Sequence, residues 1–125
     1  MNRQVSSQPI LCIDLKKKRI RIHKLTLHLL GDPDYIQLLV NPAEGIIAIR
    51  RSIPNDHLAH RVRLQELSDG TCCELYSTDL MQTLQQVNNE WKSNCSYRLY
   101  GNVNRKEGIA WFAMKNIVLV GDTYE

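Results

Sequence analysis

Asn41-Pro42-Ala43-Glu44-Gly45-Ile46 returns 63 residues later as Asn104-Arg105-Lys106-Glu107-Gly108-Ile109, with four identities in six positions. In each copy Asn suits the opening of a type I turn and Gly suits the left-handed position that closes a bulged hairpin loop. Apolar runs flank both copies, Tyr35 to Val40 and Gly45 to Arg50 around the first, Ser96 to Val103 and Gly108 to Met114 around the second. Each therefore reads as a β-hairpin, and the pair reads as a duplicated unit.

Working outward, each hairpin follows a strand and a helix. Ile10 to Leu15 is a short apolar strand. Arg19-Ile20-Arg21-Ile22-His23 alternates, which puts Ile20 and Ile22 inward and Arg19, Arg21 and His23 outward. In Lys24 to Leu30, Leu25, Leu27 and Leu29 alternate as in a strand, while Leu25, Leu29 and Leu30 suit a helical stripe. Gly31 and Pro33 are helix-stop signals, so a short helix is expected. Ser52 to His60 reads as a loop and Arg61 to Leu67 as a strand. Ser68-Asp69-Gly70 is the expected boundary between halves.

In the second half Thr71 to Tyr76 reads as a strand and Ser77-Thr78-Asp79 as a helix N-cap, with Asp79 and Gln82 as a capping pair. Leu80, Leu84, Val87 and Trp91 form an amphipathic stripe, ended by Asn88, Asn89, Ser93 and Asn94. Asn116 to Val120 is the last strand. The fold class expected is α+β: a single domain, 1–125, of two tandem strand-helix-strand-strand-strand units over about 9–67 and 71–120. The sheet is mainly antiparallel, one extra strand precedes the first unit, and the second helix is about two turns the longer. Residues 1–8 read as a mobile tail and Asp122 to Glu125 as a loose end.

Composition sets limits. With 125 residues, 43% hydrophobic and 23% charged, the chain has the profile of one soluble globular domain. No apolar run approaches the roughly 20 residues that span a bilayer, and the first eight residues lack the apolar segment of a secretory signal. Cys12, Cys72, Cys73 and Cys95 show no CxxC spacing, so they read as free thiols in a reducing cytoplasm.

Catalytic motifs are missing: there is no GxSxG, P-loop, GxGxxG or HExxH. His57, His60 and Asp56 are the nearest approach to a metal set, but solvated histidines in a polar loop need no metal. No cysteine is tied by sequence to a base. The expectation is a non-enzymatic chain with no catalytic residues, no metal and no cofactor.

Charge carries the functional signal. Residues 1–63 hold 11 Lys and Arg against 5 Asp and Glu, and residues 64–125 hold 5 against 8. Lys16, Lys17, Lys18, Arg19, Arg21 and Lys24 fall close together, and Arg50, Arg51, Arg61 and Arg63 lie in the same half. Such a set suits phosphates, whose counterions it displaces. Arg19 and Arg21 share one strand face, as do Arg61 and Arg63; if those strands are neighbours, they form a guanidinium grid. The same residues also serve as solvated edge charges that resist aggregation. Aromatic rings are sparse in the basic half, which disfavours a single-strand stacking surface.

Two resemblances bear on this. Cys73-Glu74-Leu75-Tyr76-Ser77-Thr78-Asp79-Leu80-Met81-Gln82-Thr83-Leu84 looks like the strand-into-helix opening of a DNA sliding-clamp unit, and the tandem units resemble one clamp domain. That implies helices toward a DNA channel, sheets outside, and self-association, because a full clamp needs several such domains. Clamp helices carry the positive charge, whereas the second helix here has little beyond Lys92. Residues 19–50, from Arg19-Ile20-Arg21-Ile22-His23-Lys24 through Leu30-Gly31-Asp32 to Tyr35–Arg50, resemble the swapped-hairpin unit of AbrB-type regulators, with His23 where that family usually has Pro. That likeness implies pairing of units and DNA contact through basic strand residues. The expected role is a nucleic-acid-associated or regulatory module, with DNA or another polyanion as partner and a homo-oligomer, a homodimer first, as its state. The alternative is a protein–protein interaction module that does not touch nucleic acid.

Overall fold

Two antiparallel sheets enclose one cluster of buried side chains, and strands that change sheets join them at their edges. A computed structural model describes residues 8–67 and 70–120. The tail up to Ser7, the Ser68-Asp69 part of the boundary turn and the end from Gly121 lie outside the described residues. In chain order the elements are β1 (Ile10–Asp14), β2 (Arg19–His23), α1 (Lys24–Leu29), β3 (Tyr35–Asn41), β4 (Ile46–Ser52), β5 (His60–Arg61) and β6 (Leu64–Leu67). Then come β7 (Gly70–Tyr76), α2 (Thr78–Val87), β8 (Ser96–Tyr100), β9 (Asn102–Asn104), β10 (Ile109–Ala113), a 3-10 turn (Met114–Asn116) and β11 (Ile117–Val120). The six-stranded sheet has the order β11-β8-β1-β2-β7-β6 and the five-stranded sheet β5-β3-β4-β10-β9. The class is α+β, with two helices and two mainly antiparallel sheets.

Alternation decides the layers. Leu11 and Ile13 of β1, Ile20 and Ile22 of β2, Ile47 and Ile49 of β4, and Ala110 and Phe112 of β10 are all buried in the same cluster. Each large apolar side chain removed from water contributes about 1.5–3 kcal/mol. Truncating Phe112 to Ala would cost about 3–5 kcal/mol, the usual loss for a fully buried ring.

The sheets join where strands cross between them. Ser96 to Val103, expected as one strand, divides at Gly101 into β8 in one sheet and β9 in the other. A Cβ on Gly101 would lie 2.2 Å from the Trp111 carbonyl oxygen and 2.6 Å from the Phe112 ring, so only glycine fits the passage. Arg61 to Leu67, also expected as one strand, divides at Val62-Arg63 into β5 and β6. Opposite Gly101 the 3-10 turn separates β10, which stays with β4, from β11, which stays with β8.

Both hairpin turns take the expected form. Asn41 Oδ1 accepts from the Glu44 N–H at 3.1 Å, and Asn104 Oδ1 accepts from the Glu107 N–H at 3.0 Å. Gly45 and Gly108 have φ of 66° and 68°, left-handed values that glycine takes without strain. The two hairpins meet through β4 and β10, whose pairing is centred on Ala48 and Trp111. Those two residues are 63 positions apart, as the two turns are.

The helical reading of residues 24–29 holds. His23 caps α1, its Nδ1 accepting from the Leu25 N–H at 3.3 Å. Thr26 ties the helix to the start of β1: its Oγ1 accepts from Ile10 N–H at 2.7 Å and donates to Ile10 O at 2.9 Å. The second helix is capped by Ser77, whose Oγ accepts from the Leu80 N–H at 3.2 Å. It ends earlier than its stripe implied. Met81 and Leu84 are its buried residues, while Trp91 lies beyond the end at Val87. The Asn88 amide donates to Leu84 O and stops the helix, and Trp91 instead stacks on Tyr97 at 5.2 Å between ring centroids. With ten residues against six, α2 exceeds α1 by about one turn rather than two; the rest of the extra length is in the loop through Trp91.

Candidate functional site

The outer face of the six-stranded sheet is built from the residues that alternate with its core. Strand register sets Arg98 of β8, Cys12 of β1, Arg21 of β2 and Glu74 of β7 in one row. Ser96, Asp14, Arg19 and Tyr76 form the next. Glu74 Oε2 accepts from Arg21 Nε at 2.8 Å and from Arg19 Nη1 at 3.2 Å, and Asp14 Oδ2 accepts from Arg19 Nε at 3.1 Å. The Glu74 side chain is only 6% exposed, so these contacts are shielded from solvent. Burial works against the charge on Arg19, but hydrogen bonding to Tyr76 and the nearby Asp14 and Glu74 carboxylates outweigh it and raise its pKa.

The ten basic residues separate in space. Lys16, Lys17 and Lys18 are exposed in the turn between β1 and β2, where Lys18 has φ 55°. Lys24, also exposed, opens α1 at the far end of β2. Arg19 and Arg21 are held by carboxylates. Arg50 donates from Nε to Gln37 Oε1 at 2.7 Å, and Arg51 donates from Nη2 to Lys106 O at 3.0 Å while lying over Gly108. Arg61 and Arg63 are exposed near the junction of β5 and β6. No grid joins them to Arg19 and Arg21, because β7 stands between β2 and β6 and β5 belongs to the other sheet.

Register adds cations from outside the basic half. Arg98 enters the row beside Cys12, and Arg105 and Lys106 sit on the turn that Arg51 covers. Lys92 comes to the Lys16–Lys18 end, because Leu15 N–H donates to Cys95 O and Cys95 N–H donates to Lys92 O, both at 3.1 Å. The alternation of Ser96-Tyr97-Arg98-Leu99-Tyr100 shows that Arg98 faces outward; its neighbours follow only from the pairing of β8 with β1.

This face is concave between β8 and β7. A cavity of about 350 Å³ lies there, with Cys12, Arg21, His23, Cys72, Ser96 and Arg98 among its walls. A larger open groove, about 950 Å³, runs between the Pro42–Ile46 turn and the Asn88–Trp91 loop.

The residues weighed for metal and thiol chemistry have these surroundings. The Asp56 carboxylate accepts from the Ser52 hydroxyl and from the Ile53 N–H at 3.3 Å, and these bonds, the Ser52 one foremost, lower its pKa. Among the described residues no three His, Cys, Asp or Glu side chains gather as a metal-binding group. All four cysteines are free thiols, and burial pushes the Cys73 thiol up from its ordinary value.

The outer face of the five-stranded sheet differs. Leu39, Ala48 and Trp111 stand in one row across β3, β4 and β10, with Ile46, Ile109 and Ala113 beside them. Leu39 is 41% exposed and Trp111 36%, so the row is open to solvent. Among the described residues no helix is long and apolar enough to cross a membrane. Comparison with protein-family models, curated proteins and solved structures finds no match, so neither the sliding-clamp nor the AbrB-type likeness is carried further.

Proposed function

We propose that the chain is a cytoplasmic, non-enzymatic module that binds DNA through the end of the six-stranded sheet where Lys16, Lys17, Lys18 and Lys92 gather. One observation carries this reading: these lysines are exposed, and among the described residues none of them has an ion pair, while Arg19 and Arg21 beside them do. Free ammonium groups on a turn gain by displacing counterions from phosphate, whereas a guanidinium already held by a carboxylate gains little. Arg19 and Arg21 thus stiffen the strand that presents the lysine turn. Free thiols at all four cysteines support the cytoplasmic placement. The same reading takes the two hairpins as remains of one doubled unit, supported by the 63-residue offset shared by their turns and by Ala48–Trp111.

The test is the salt dependence of binding to duplex DNA. The combined change Lys16→Gln, Lys17→Gln and Lys18→Gln is expected to reduce the slope of log K against log salt by about 3, close to one for each phosphate that is no longer neutralised. An unchanged slope overturns the reading.

A second reading rests on the other face: a homodimer formed by stacking two copies of the five-stranded sheet over Leu39, Ala48 and Trp111. Because β4 and β10 run antiparallel, the turn bearing Glu44 and the turn bearing Arg105 and Lys106 lie at opposite ends of this face. A two-fold across the strands brings the acidic turn of one copy over the basic turn of the other, and aligned sheets pack about 10 Å apart. Sedimentation equilibrium decides it: Trp111→Lys should convert dimer to folded monomer, and a monomeric parent protein rules the dimer out.

A further inference from the structure

We infer that the concavity on the outer face of the six-stranded sheet is a binding site for a small organic anion, whose carboxylate or phosphate group Arg98 grips. Charge accounting comes first. Among the described residues, Arg19, Arg21 and Arg98 share this face with the Asp14 and Glu74 carboxylates. Asp14 is held by Arg19 Nε and by the Lys17 N–H, each at 3.1 Å, and Glu74 is held by Arg19 and Arg21. Arg98 remains with no carboxylate partner among the described residues. Hydrogen bonding to Tyr100, then to Cys12, outweighs the opposing effect of burial and raises its pKa, so it stays charged.

The second observation is an orphan donor. The Arg98 Nε is fully buried and has no hydrogen-bond partner among the described residues. A half-buried cation with an unused N–H is costly unless an acceptor meets it, and a fork of N–H donors matches the two oxygens of a carboxylate or phosphate. The third observation is the wall. Ser96 contributes a hydroxyl. The cap bond of His23 uses Nδ1 as acceptor, so the neutral ring carries its proton on Nε2, as a donor. Ile10 and Val120 add apolar surface for the organic part of the ligand. About 350 Å³ lies at the small end of ligand pockets, which suits a metabolite-sized anion.

Asp14, held by Arg19 and the Lys17 N–H, separates this site from the lysine turn, and the test is separate. Arginine side-chain Nε–Hε signals of the ¹⁵N-labelled protein would be followed by NMR at constant ionic strength. Sodium phosphate and sodium propionate would be titrated separately, and the anion that saturates at lower concentration identifies the head group. A saturable shift at the Arg98 and Arg21 signals is expected in the parent protein, and the Arg21 shift should be weakened at least about tenfold by Arg98→Gln and be unaffected by Lys17→Gln. Arg98→Lys, which keeps the charge and loses the fork, should weaken binding as well and serves if the glutamine variant does not fold. A shift at Arg98 that stays linear in both anions overturns the proposal, as does an Arg21 saturation curve in either Arg98 variant that matches the parent's.

Discussion

The two outer faces of this molecule follow the same alternation and reach opposite surfaces. On the six-stranded sheet the outward residues include Asp14, Arg19, Arg21, Glu74 and Arg98, and adjacent strands place opposite charges side by side. On the five-stranded sheet they include Leu39, Ala48, Ile109 and Trp111, and among the described residues Leu39 and Trp111 stay partly open to solvent. The lesson is that period-2 patterning fixes which side chains face out, while strand neighbours fix what the face can do. A charged face can satisfy most of its groups within the chain, and what is left over marks a site. An apolar face cannot be satisfied by its own sheet.

The most damaging way to break the comparison is to stop the chain from passing between the sheets. Gly101→Ala drives a methyl group into the Trp111 carbonyl and the Phe112 ring, at 2.2 and 2.6 Å. Backbone and a fully buried ring cannot both give way, so about 3 kcal/mol or more of stability should be lost in urea unfolding. Gly45→Ala is the control. Its added Cβ meets nothing within 4 Å and suffers only from φ 66°, a cost of about 1 kcal/mol. Equal losses in the two variants would mean that the passage at Gly101 has room to spare.

How much of this was legible beforehand depends on the range of the interaction. The two Asn-to-Gly turns, the inward Ile20 and Ile22, and the cap at Ser77 are local, and residues a few positions apart determine them. The end of α2 at Val87 was less visible, because Leu80, Leu84, Val87 and Trp91 keep helical spacing beyond the point where Asn88 takes the Leu84 carbonyl. The sheet change at Gly101 was hidden because it depends on the Trp111 carbonyl, ten residues on. For the site, the outward direction of Arg19 and Arg21 was readable. Their neutralisation by Glu74, 53 residues beyond Arg21, was not, nor was the arrival of Arg98 beside Cys12. A charge run in sequence reports composition, and pairing between distant strands decides which charges remain free.

Glu74→Gln sharpens the contrast on the charged face. It removes the carboxylate shared by Arg19 and Arg21, whose side chains are 14% and 20% exposed. Two shielded cations are then left facing each other, and a loss of about 2 kcal/mol is expected, less than for a fully buried pair because solvent still reaches both guanidiniums. The same variant should bind duplex DNA more tightly at low salt, since a negative charge is removed from the face beside the lysine turn. Trp111→Lys on the other sheet should cost under about 1 kcal/mol in the monomer, because its ring is already at the surface. A Glu74→Gln protein as stable as its parent and no tighter on DNA would show that Asp14, Arg19, Glu74 and Arg21 do not act as an ion-pair network.

The smallest effect expected is on the five-stranded side, in the loop that leaves β4. The Ser52 hydroxyl and the Ile53 N–H donate to the Asp56 carboxylate, so its folded pKa is below the ordinary aspartate value of 3.8. A depressed carboxylate adds stability that is present above the unfolded value and is lost as pH falls through the folded one. The loop should therefore keep its form at pH 5 and loosen only under more acid conditions. A carbon-detected titration of the Asp56 carboxyl should give a midpoint below 3.8. Ser52→Ala should move that midpoint back up, because the hydroxyl bond is the largest of its causes. The charged row of the six-stranded sheet shares no hydrogen bond with this loop among the described residues, so its own spectrum should be the same in parent and Ser52→Ala. A change in the Arg21 or Arg98 side-chain signals on that substitution would mean that the two faces are coupled through the core, which the separation of their hydrogen-bond networks argues against.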